Sequence, residues 1–366
     1  MEKRRTRLVQ VTSSVSSLLG GPSFVVEQTS SLLSREFIHS ITVFGNSSLK
    51  ISGTKIFQQP TLFSNRYGFF LGFPSRNLRE EISNAEILII HGFYLFSTLV
   101  ALLFSSTSKI FVMPHGSLEN YQEQKGTVRK KIFRKLFKLA LNGRTCTFIV
   151  ATESEVSGVK DVFPVDEVET VGIGVDEFRT KQNTASFLDS KINLLSLSRI
   201  HVKKRIDIAI WTVRILKDMN IQCVLRIAGD GDSNLISNLH QLVEELKLEN
   251  EVIFLGHLEQ DRKEEVIAKS DILLLPSENE NFAIAVAELI VRGKPVIVST
   301  NVAMGSFVSK YETGIVIEAL DPTILAEAVL KVRENFSYYV ANCLETADFL
   351  FWPNVFERWL QVLRKN

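Results

Sequence analysis

The sequence predicts an α/β protein built from two doubly wound parallel sheets, and three observations support this class. Short apolar runs such as Leu8–Val11 and Ile272–Leu275 alternate with longer stretches of helical spacing, the pattern of strands that are buried on both faces of a parallel sheet. A chain of 366 residues exceeds one ordinary core. A polar stretch, Arg179–Lys191, separates the two halves and predicts a linker. We therefore expect two domains.

Composition excludes several function classes. The chain is 45% hydrophobic and 23% charged, as soluble proteins are, and its net charge of +1 gives no basis for nucleic-acid binding. The cysteines Cys146, Cys223 and Cys343 are scattered and odd in number, so we expect reduced packing thiols in a cytoplasmic protein, and no zinc site. The basic N-terminal stretch has an apolar region broken by serines, so we expect mature protein there rather than a signal peptide.

The first half begins with a strand, and a Gly20–Gly21 pair then precedes the first helix. Glycines at this point let the backbone approach a ligand, although a flexible turn explains them equally well. For residues 47–79 the sequence predicts no helix or strand. The uncharged stretch 87–104 approaches the length of a membrane span, but His91–Gly92 splits it, which favours a strand, a turn and a helix. Strands are predicted at Leu8–Val11, Ile41–Phe44, Ile87–Ile90, Lys109–Met113, Thr147–Ala151 and Glu169–Val171, and helices at Phe24–Phe37 and Phe93–Phe104.

Two histidines follow strands in this half. His115 follows the strand Lys109–Met113 after one proline, at the end of a strand where ligands collect in open α/β sheets, and it is the stronger candidate. His91 also follows a strand, but a packing role is as good an explanation for it.

A basic amphipathic helix is predicted between Lys125 and Arg144, a stretch with eight basic residues and no acid. Such a helix can lie on an anionic membrane surface, or it can pack its apolar side on the sheet while its cations face water. The two interpretations are compatible. Helical spacing places Val128, Ile132, Leu136 and Leu139 in one apolar stripe, which Phe133, Phe137 and Ala140 widen.

The second half repeats the strand and helix pattern. Asp230 and Asp232 form an Asp-x-Asp triplet that could hold a metal, but Gly229 and Gly231 frame Asp230 and favour a strand-to-helix turn, so we expect no metal. Strands are predicted at Ile192–Leu197, Val224–Ala228, Val252–Leu255, Ile272–Leu275, Val296–Val298 and Gly314–Ile317, and helices at Leu235–Leu246, Arg262–Lys269, Phe282–Val291, Pro322–Arg333 and Phe351–Leu363.

Two glutamates stand out in the unit from Asp271 to Ser299. Glu280 precedes the predicted helix and Glu288 lies inside it, so at ~1.5 Å per residue their carboxylates are about 12 Å apart along the axis. That is too far to share a proton or a metal, and about the span from a sugar ring to a ribose across a diphosphate. The backbone amides of Phe282–Ile284 would face the diphosphate. A capping glutamate and a helix-face glutamate are the simpler alternative.

The stretch SENENFAIAVAELIVRGKPV resembles the E-x-F-G-x-x-x-x-E segment of glycosyltransferase family 4, whose members are retaining enzymes of the GT-B fold. The resemblance implies two Rossmann-like domains facing each other across a cleft, with Glu280 beside the donor sugar and Glu288 bound to the ribose hydroxyls. Ala283 stands where the family has glycine, and its methyl group narrows the approach of backbone to ligand.

Other stretches extend the resemblance over nearly the whole chain. SRIHVKKRID is similar to G-R-L-x-x-x-K-G-x-D, which implies that Arg199 and Lys204 clamp the donor diphosphate, although a solvated basic loop is the alternative. Ser198 and Arg205 replace family glycines there. The family also has an H-G pair that contacts the donor sugar or acceptor, and a Gly-Gly loop near the donor diphosphate or the acceptor. This implies substrate contacts for His115 and for Gly20–Gly21.

The implied organisation is an acceptor-side domain at 1–176, ending in the GIGVD stretch, a linker at 177–191 and a nucleotide-sugar domain at 192–350. In the family the final helix, here 351–366, packs back on the first domain. The implied activity is transfer of a hexose from a UDP- or GDP-linked sugar to a saccharide or lipid-linked acceptor, in the cytoplasm and without a metal or other cofactor. A sugar-nucleotide epimerase and a catalytically silent sugar-nucleotide-binding subunit are the rival interpretations.

Overall fold

The computed structural model describes residues 5–13, 15, 21–45, 51–58, 74–119, 127–163, 167–176 and 191–365. The chain forms two compact units. Unit 1 comprises Met1–Ile173 and Phe356–Asn366, and unit 2 comprises Gly174–Val355. The predicted linker, 177–191, and Gly20 lie outside the described residues except for Lys191.

Unit 1 is built on a parallel sheet of seven described strands in the order β3-β2-β1-β4-β5-β6-β7. The order reverses between β1 and β4, which lie side by side in the sheet. The strands are β1 Arg7–Thr12, β2 Ile38–Val43, β3 Lys55–Gln58, β4 Ile87–His91, β5 Ile110–Met113, β6 Thr147–Val150 and β7 Glu167–Thr170. The helices are α1 Gly21–Glu36, α2 Arg76–Ser83, α3 Phe96–Phe104, α4 Thr127–Leu141 and α5 Glu153–Val162.

Unit 2 has a parallel sheet of six described strands in the order β10-β9-β8-β11-β12-β13, which reverses between β8 and β11. The strands are β8 Ile192–Leu197, β9 Cys223–Ala228, β10 Val252–Gly256, β11 Ile272–Leu275, β12 Val296–Ser299 and β13 Gly314–Ile317. The helices are α6 Ile206–Asp218, α7 Ser233–Glu245, α8 Gln260–Ala268, α9 Ile284–Ile290, α10 Gly305–Lys310, α11 Pro322–Glu334, α12 Phe336–Thr346 and α13 Trp352–Arg364, of which α13 runs on into unit 1.

The predicted fold class is confirmed, because both sheets are parallel and doubly wound. Every residue of β11 and β12 is buried, as expected for strands that are covered by helices on both faces. All three cysteines are buried free thiols. Within the part of the chain that the structure describes, no helix has the length and apolar character needed to cross a bilayer.

Helix α4 buries one part of its predicted apolar side and leaves the other part exposed. Phe137, Ala140 and Leu141 join the core of unit 1, and Phe133 packs against that core. The predicted stripe lies on the other side: Val128 is 69% exposed, and its three companions Ile132, Leu136 and Leu139 are also exposed. An aromatic cluster of Phe93, Phe137, Phe148 and Phe163 decides which face packs, since the ring centroids of Phe93 and Phe137 lie 4.9 Å apart.

Other differences concern where elements begin. Helix α1 starts at Gly21, earlier than predicted, and Gly21 has ordinary helical backbone with open space around its Cα, so no turn requires glycine there. Helix α9 starts at Ile284 rather than at Phe282, because Ala283 is left-handed. Six short or weakly patterned elements were not predicted: β3, α2, α5, α6, α10 and α12.

Candidate functional site

The candidate site of unit 2 lies where the strand order reverses. Strands β8 and β11 are neighbours there, and in a parallel sheet their carboxyl ends share one edge. The loop after β8 contains Arg199 and a short 3₁₀ turn, Val202–Lys204, and the loop after β11 contains Glu280. The Glu278 amide donates to the Lys203 carbonyl over 2.7 Å, which holds the two loops together. A crevice of this kind is the usual ligand site of open α/β sheets.

The two loops bring Lys204 and Glu280 into an ion pair between Nζ and Oε2. Their side chains are 17% and 23% exposed, so the pair is largely withdrawn from water. Burial, together with the nearby charges of Arg199 and Lys203, lowers the pKa of Lys204 to about 8. Arg199 itself is exposed. The site therefore presents a largely desolvated ammonium group beside an accessible guanidinium group, an arrangement suited to an anionic ligand.

The backbone of Glu280 is fixed from a third loop. Its amide donates to the Asn301 carbonyl over 3.1 Å, and its carbonyl accepts from the Ala303 amide over 2.9 Å. These two bonds form a short parallel bridge to the segment that follows β12. Glu280 is consequently held both by its backbone, through Asn301 and Ala303, and by its side chain, through Lys204.

Two of the residues that replace family glycines keep the backbone that glycine would adopt. Ala283 has φ 60° and ψ 70°, and Arg205 has φ 48° and ψ 48°, both in the left-handed region. Such a conformation costs a non-glycine residue on the order of 1–2 kcal/mol. Arg205 also forms ion pairs with Asp207 and with Glu278. The turns on either side of the Lys204–Glu280 pair are thus retained despite the substitutions.

Glu288 lies on α9 with its carboxylate paired to Lys263 Nζ at 2.7 Å. Both side chains are mostly buried, at 16% and 20% exposure. Glu288 therefore contacts a cation, Lys263, that the sequence did not indicate as a site residue. Near the start of α9, Phe282 is buried, and no hydrogen-bond partner is found among the described residues for the amides of Phe282–Ile284.

The Gly229–Asp230–Gly231 turn is a packing feature. A Cβ at Gly229 or at Gly231 would lie 1.9 Å from the carbonyl oxygen of Ser198 or Ile200 respectively. Asp230 accepts from the amide of Gly231, and Asp232 caps α7 by accepting from the amide of Leu235. Among the described residues, no group of three or more His, Cys, Asp or Glu side chains is arranged to hold a metal ion.

In unit 1 the structure brings the two candidate histidines together. His91 ends β4 and His115 follows β5, its neighbour in the sheet, and His91 Nδ1 lies 3.0 Å from His115 Nε2. Burial lowers the pKa of His115 to about 4 and that of His91 well below its ordinary value. Both rings are therefore neutral near pH 7. His115 is left-handed, with φ 52°, and the next amide, that of Gly116, donates to the buried carboxylate of Glu155.

Sequence reasoning missed several of these partners. Lys263 and Glu155 lie in helices with an ordinary pattern of surface and core residues. Gln10, whose side-chain oxygen lies 3.1 Å from His91 Nε2, is one polar residue in an apolar strand. The buried polar residue in β1 was the available signal, since a glutamine enclosed in a core needs partners.

The second half of the chain is similar to a known protein family. Residues 177–340 match the family described as Glycosyl transferases group 1. An uncharacterized glycosyltransferase of Methanocaldococcus jannaschii is 24% identical over 240 residues, 60% of each chain. N-acetyl-alpha-D-glucosaminyl L-malate synthase of Bacillus anthracis is 29% identical over 148 residues, 40% of this chain and 37% of the relative. The chain thus spans roughly half the length of these curated relatives.

Solved structures share the fold over nearly the full chain. A sucrose-phosphate synthase from Thermosynechococcus elongatus has a TM-score of 0.74 at 16% identity, with 98% of each chain covered. Anabaena HepE, solved in complex with UDP and glucose, has a TM-score of 0.73 at 15% identity, again with 98% of each chain covered. At these identities the likeness establishes the GT-B fold.

Proposed function

We propose that the chain is a retaining hexosyltransferase, because residues 177–340 match the family described as Glycosyl transferases group 1. Its donor is a UDP- or GDP-linked hexose and its acceptor a saccharide or lipid-linked saccharide, in the synthesis of a cell-surface polysaccharide or glycolipid. Relatives named for amylovoran and colanic acid biosynthesis support this setting, and HepE, crystallised with UDP-glucose, supports a nucleotide-sugar donor.

The Lys204–Glu280 pair at the strand reversal carries the proposal. An ammonium group has three donors, so Lys204 can keep Glu280 and still bind a phosphate oxygen. Arg199 adds a second cation from the same loop. Glu280 is then positioned beside the sugar that the diphosphate carries, and Glu288 binds the ribose by exchanging Lys263 for sugar hydroxyls.

Arg199 and Lys204 are suited to stabilise a diphosphate leaving group. As the bond from the anomeric carbon to the phosphate oxygen breaks, negative charge grows on that oxygen, and Arg199 and Lys204 stabilise it. The acceptor hydroxyl attacks the same face of the sugar, forms the new glycosidic bond and gives its proton to the departing phosphate oxygen. Removal of one preorganised charge of this kind costs on the order of 100-fold in kcat.

A turnover assay tests the proposal. The protein is incubated with UDP- and GDP-hexoses, with and without saccharide and polyprenyl-linked acceptors, and released nucleoside diphosphate is measured. We expect acceptor-dependent release that Lys204→Met reduces about 100-fold. Release or epimerisation of the donor without any acceptor would instead indicate an epimerase. Donor binding without release under every condition would indicate a silent subunit.

We further propose that unit 1 binds the inner face of an anionic membrane through α4. The exposed apolar residues Val128, Ile132, Leu136 and Leu139 recur every three or four positions, so they share one face of the helix. Exposed cations border that face on both sides: Arg129, Lys131, Lys135 and Lys138. Leu103 of α3, 67% exposed, lines the same surface cavity as Leu139 and extends the apolar area. We call these nine residues the basic apolar face.

Three cations of α4 contact aromatic side chains, and one of them, Lys138 over the ring of Phe163 at 5.7 Å, belongs to the basic apolar face. Lys130 lies over the ring of Tyr94 at 4.9 Å, and Arg134 donates to the Tyr94 hydroxyl over 2.9 Å. The four bordering cations contribute about 1 kcal/mol each at an anionic surface. Each inserted aliphatic side chain adds on the order of 1 kcal/mol. Together these are sufficient for reversible attachment, with a dependence on both charge and apolar contact.

Vesicle sedimentation separates the two contributions. Wild type should pellet with anionic vesicles at low salt. Arg129, Lys131 and Lys135 changed together to Gln should leave the protein in the supernatant, and so should Ile132, Leu136 and Leu139 changed together to Ser. Arg262, Lys269 and Lys331 of unit 2 changed together to Gln serve as the matched control and should pellet. Wild type that stays in the supernatant at low salt would refute membrane attachment.

A further inference from the structure

The rings of His91 and His115 share one hydrogen bond. His91 Nδ1 and His115 Nε2 are 3.0 Å apart, and the ring planes are 21° from parallel with centroids 5.3 Å apart. Because both rings are neutral, only one of the two facing nitrogens carries a proton. The tautomer of one ring therefore determines the tautomer of the other.

A buried glutamine determines which nitrogen donates. His91 Nε2 lies 3.1 Å from Gln10 Oε1, and Gln10 Nε2 lies 3.3 Å from Thr29 Oγ1. The Thr29 hydroxyl donates to the Val25 carbonyl over 2.6 Å, so its oxygen accepts from the amide group of Gln10. Gln10 consequently turns its oxygen towards His91, and Gln10 and Thr29 are both fully buried. His91 must then carry its proton on Nε2 and accept at Nδ1.

The consequence reaches His115. Since His91 accepts at Nδ1, His115 carries its proton on Nε2, and its own Nδ1 keeps a lone pair. No described group bonds that Nδ1, and the His115 side chain is partly exposed. The backbone is held separately, because Gly116 donates to Glu155 Oε1 over 2.6 Å while Glu155 Oε2 accepts from the Ala151 amide. The His115 ring therefore presents Nδ1 as a fixed hydrogen-bond acceptor at the carboxyl end of β5.

We propose that His91 is a positioning residue, which together with Gln10 keeps His115 Nδ1 as a hydrogen-bond acceptor for a hydroxyl group of the substrate. This rests on the proposed function, because it supposes that a sugar hydroxyl meets His115. A site built to accept from a hydroxyl discriminates strongly against a substrate that lacks it. His91 touches no substrate itself and acts through the hydrogen bond that it accepts from His115.

Ring-selective ¹⁵N NMR of the wild-type protein tests the assignment without any variant. Long-range couplings report which nitrogen of each histidine is protonated. We expect both His91 and His115 to be protonated at Nε2 at pH 7. A proton on Nδ1 of His115 would overturn the proposal. This readout does not depend on turnover, so absent turnover in the wild type would count against the proposed transferase activity alone.

A pair of variants tests the functional part. The amide of Asn can place an acceptor where His91 has Nδ1, whereas the longer Gln places its amide where His91 has Nε2. We expect kcat/KM of His91→Gln to fall at least about tenfold below that of His91→Asn, since one positioned hydrogen bond is lost. Binding of the nucleoside diphosphate should be equal in both variants, because the diphosphate contacts belong to unit 2. Unfolding midpoints show that each variant is folded.

Two results would contradict the positioning role. One is equal kcat/KM in the two folded variants. The other is a change in His91→Gln of the nucleoside diphosphate dissociation constant that accounts for the whole loss of activity. If His91→Gln fails to fold, the NMR assignment of the wild type decides the matter.

Discussion

Donor affinity should weaken as the pH rises through about 8, because Lys204 then loses its proton. An ordinary lysine stays charged to about pH 10, so this dependence is specific to the largely buried position of Lys204. Donor affinity falls as the pH rises because the lowered pKa of Lys204 brings the loss of its charge into this pH range. The ammonium group binds the diphosphate below its pKa, and above that pKa the neutral amine supplies no charge.

The magnitude follows from the same value. With a pKa of about 8, roughly nine-tenths of Lys204 is protonated at pH 7 and roughly one-tenth at pH 9. If only the protonated form binds tightly, the apparent Kd rises about tenfold between these pH values, or about 1.4 kcal/mol. Binding at pH 9 should also take up nearly one proton.

Calorimetric titration with UDP and GDP measures both quantities, the proton uptake from the dependence of the binding enthalpy on the buffer. Two variants serve as controls. Lys204→Arg keeps a charge that does not titrate in this range, and Lys204→Met has none, so the pH dependence should vanish in both. A wild-type Kd that is constant from pH 7 to pH 9, or one that changes equally in Lys204→Met, would refute the reasoning.

The two glutamates and the turn glycines give further expectations. Glu288→Ala should weaken donor binding while Glu280→Ala mainly lowers kcat, and identical unchanged kinetics in both variants would remove their assigned roles. Turnover should survive a chelator, because cationic side chains neutralise the diphosphate; activity lost with chelator and restored by manganese would direct attention to Asp230–Asp232. Gly229→Ala should lower Tm by roughly 5 °C or more, since its Cβ would lie 1.9 Å from the Ser198 carbonyl oxygen at a φ of 142°. An unchanged Tm in a thermal scan would contradict that clash.

The parallel sheets were predictable because buried strands carry a strong local signal. Strands β8, β11 and β13 match their predicted bounds, and each is a short apolar run between polar turns. Short elements lack that signal. Helix α10 has six residues and no side-chain cap, and β3 is a four-residue strand in which no residue is buried. Their conformation depends on neighbours in the fold, which local spacing cannot show.

The candidate residues of unit 2 could be predicted because short stretches of sequence contain them. Arg199, Lys204, Glu280 and Glu288 were predicted by motif, and the structure brings Lys204 and Glu280 into one ion pair. The histidine network could not be found in this way. Gln10 and His91 are 81 positions apart, and only the pairing of β1 with β4 brings them together.

The buried face of α4 was unpredictable for a related reason. Apolar residues occur on more than one side of this helix, so helical spacing allows several faces to pack. The aromatic cluster around Phe93 selects the face of Phe137, and the predicted stripe is left exposed. The exposed stripe is the observation on which the proposed membrane contact rests.

Donor recognition by unit 2 is tested most directly by thermal unfolding of wild type and Lys204→Met in the presence of a panel of UDP- and GDP-hexoses. A ligand that binds only the folded protein stabilises it by about 2.7 kcal/mol at a hundredfold over its Kd. We expect at least one sugar nucleotide to raise the Tm of the wild type by several degrees, and to raise that of Lys204→Met clearly less. No shift in the wild type with any donor, or equal shifts in both proteins, would contradict a nucleotide-sugar site at the Lys204–Glu280 pair.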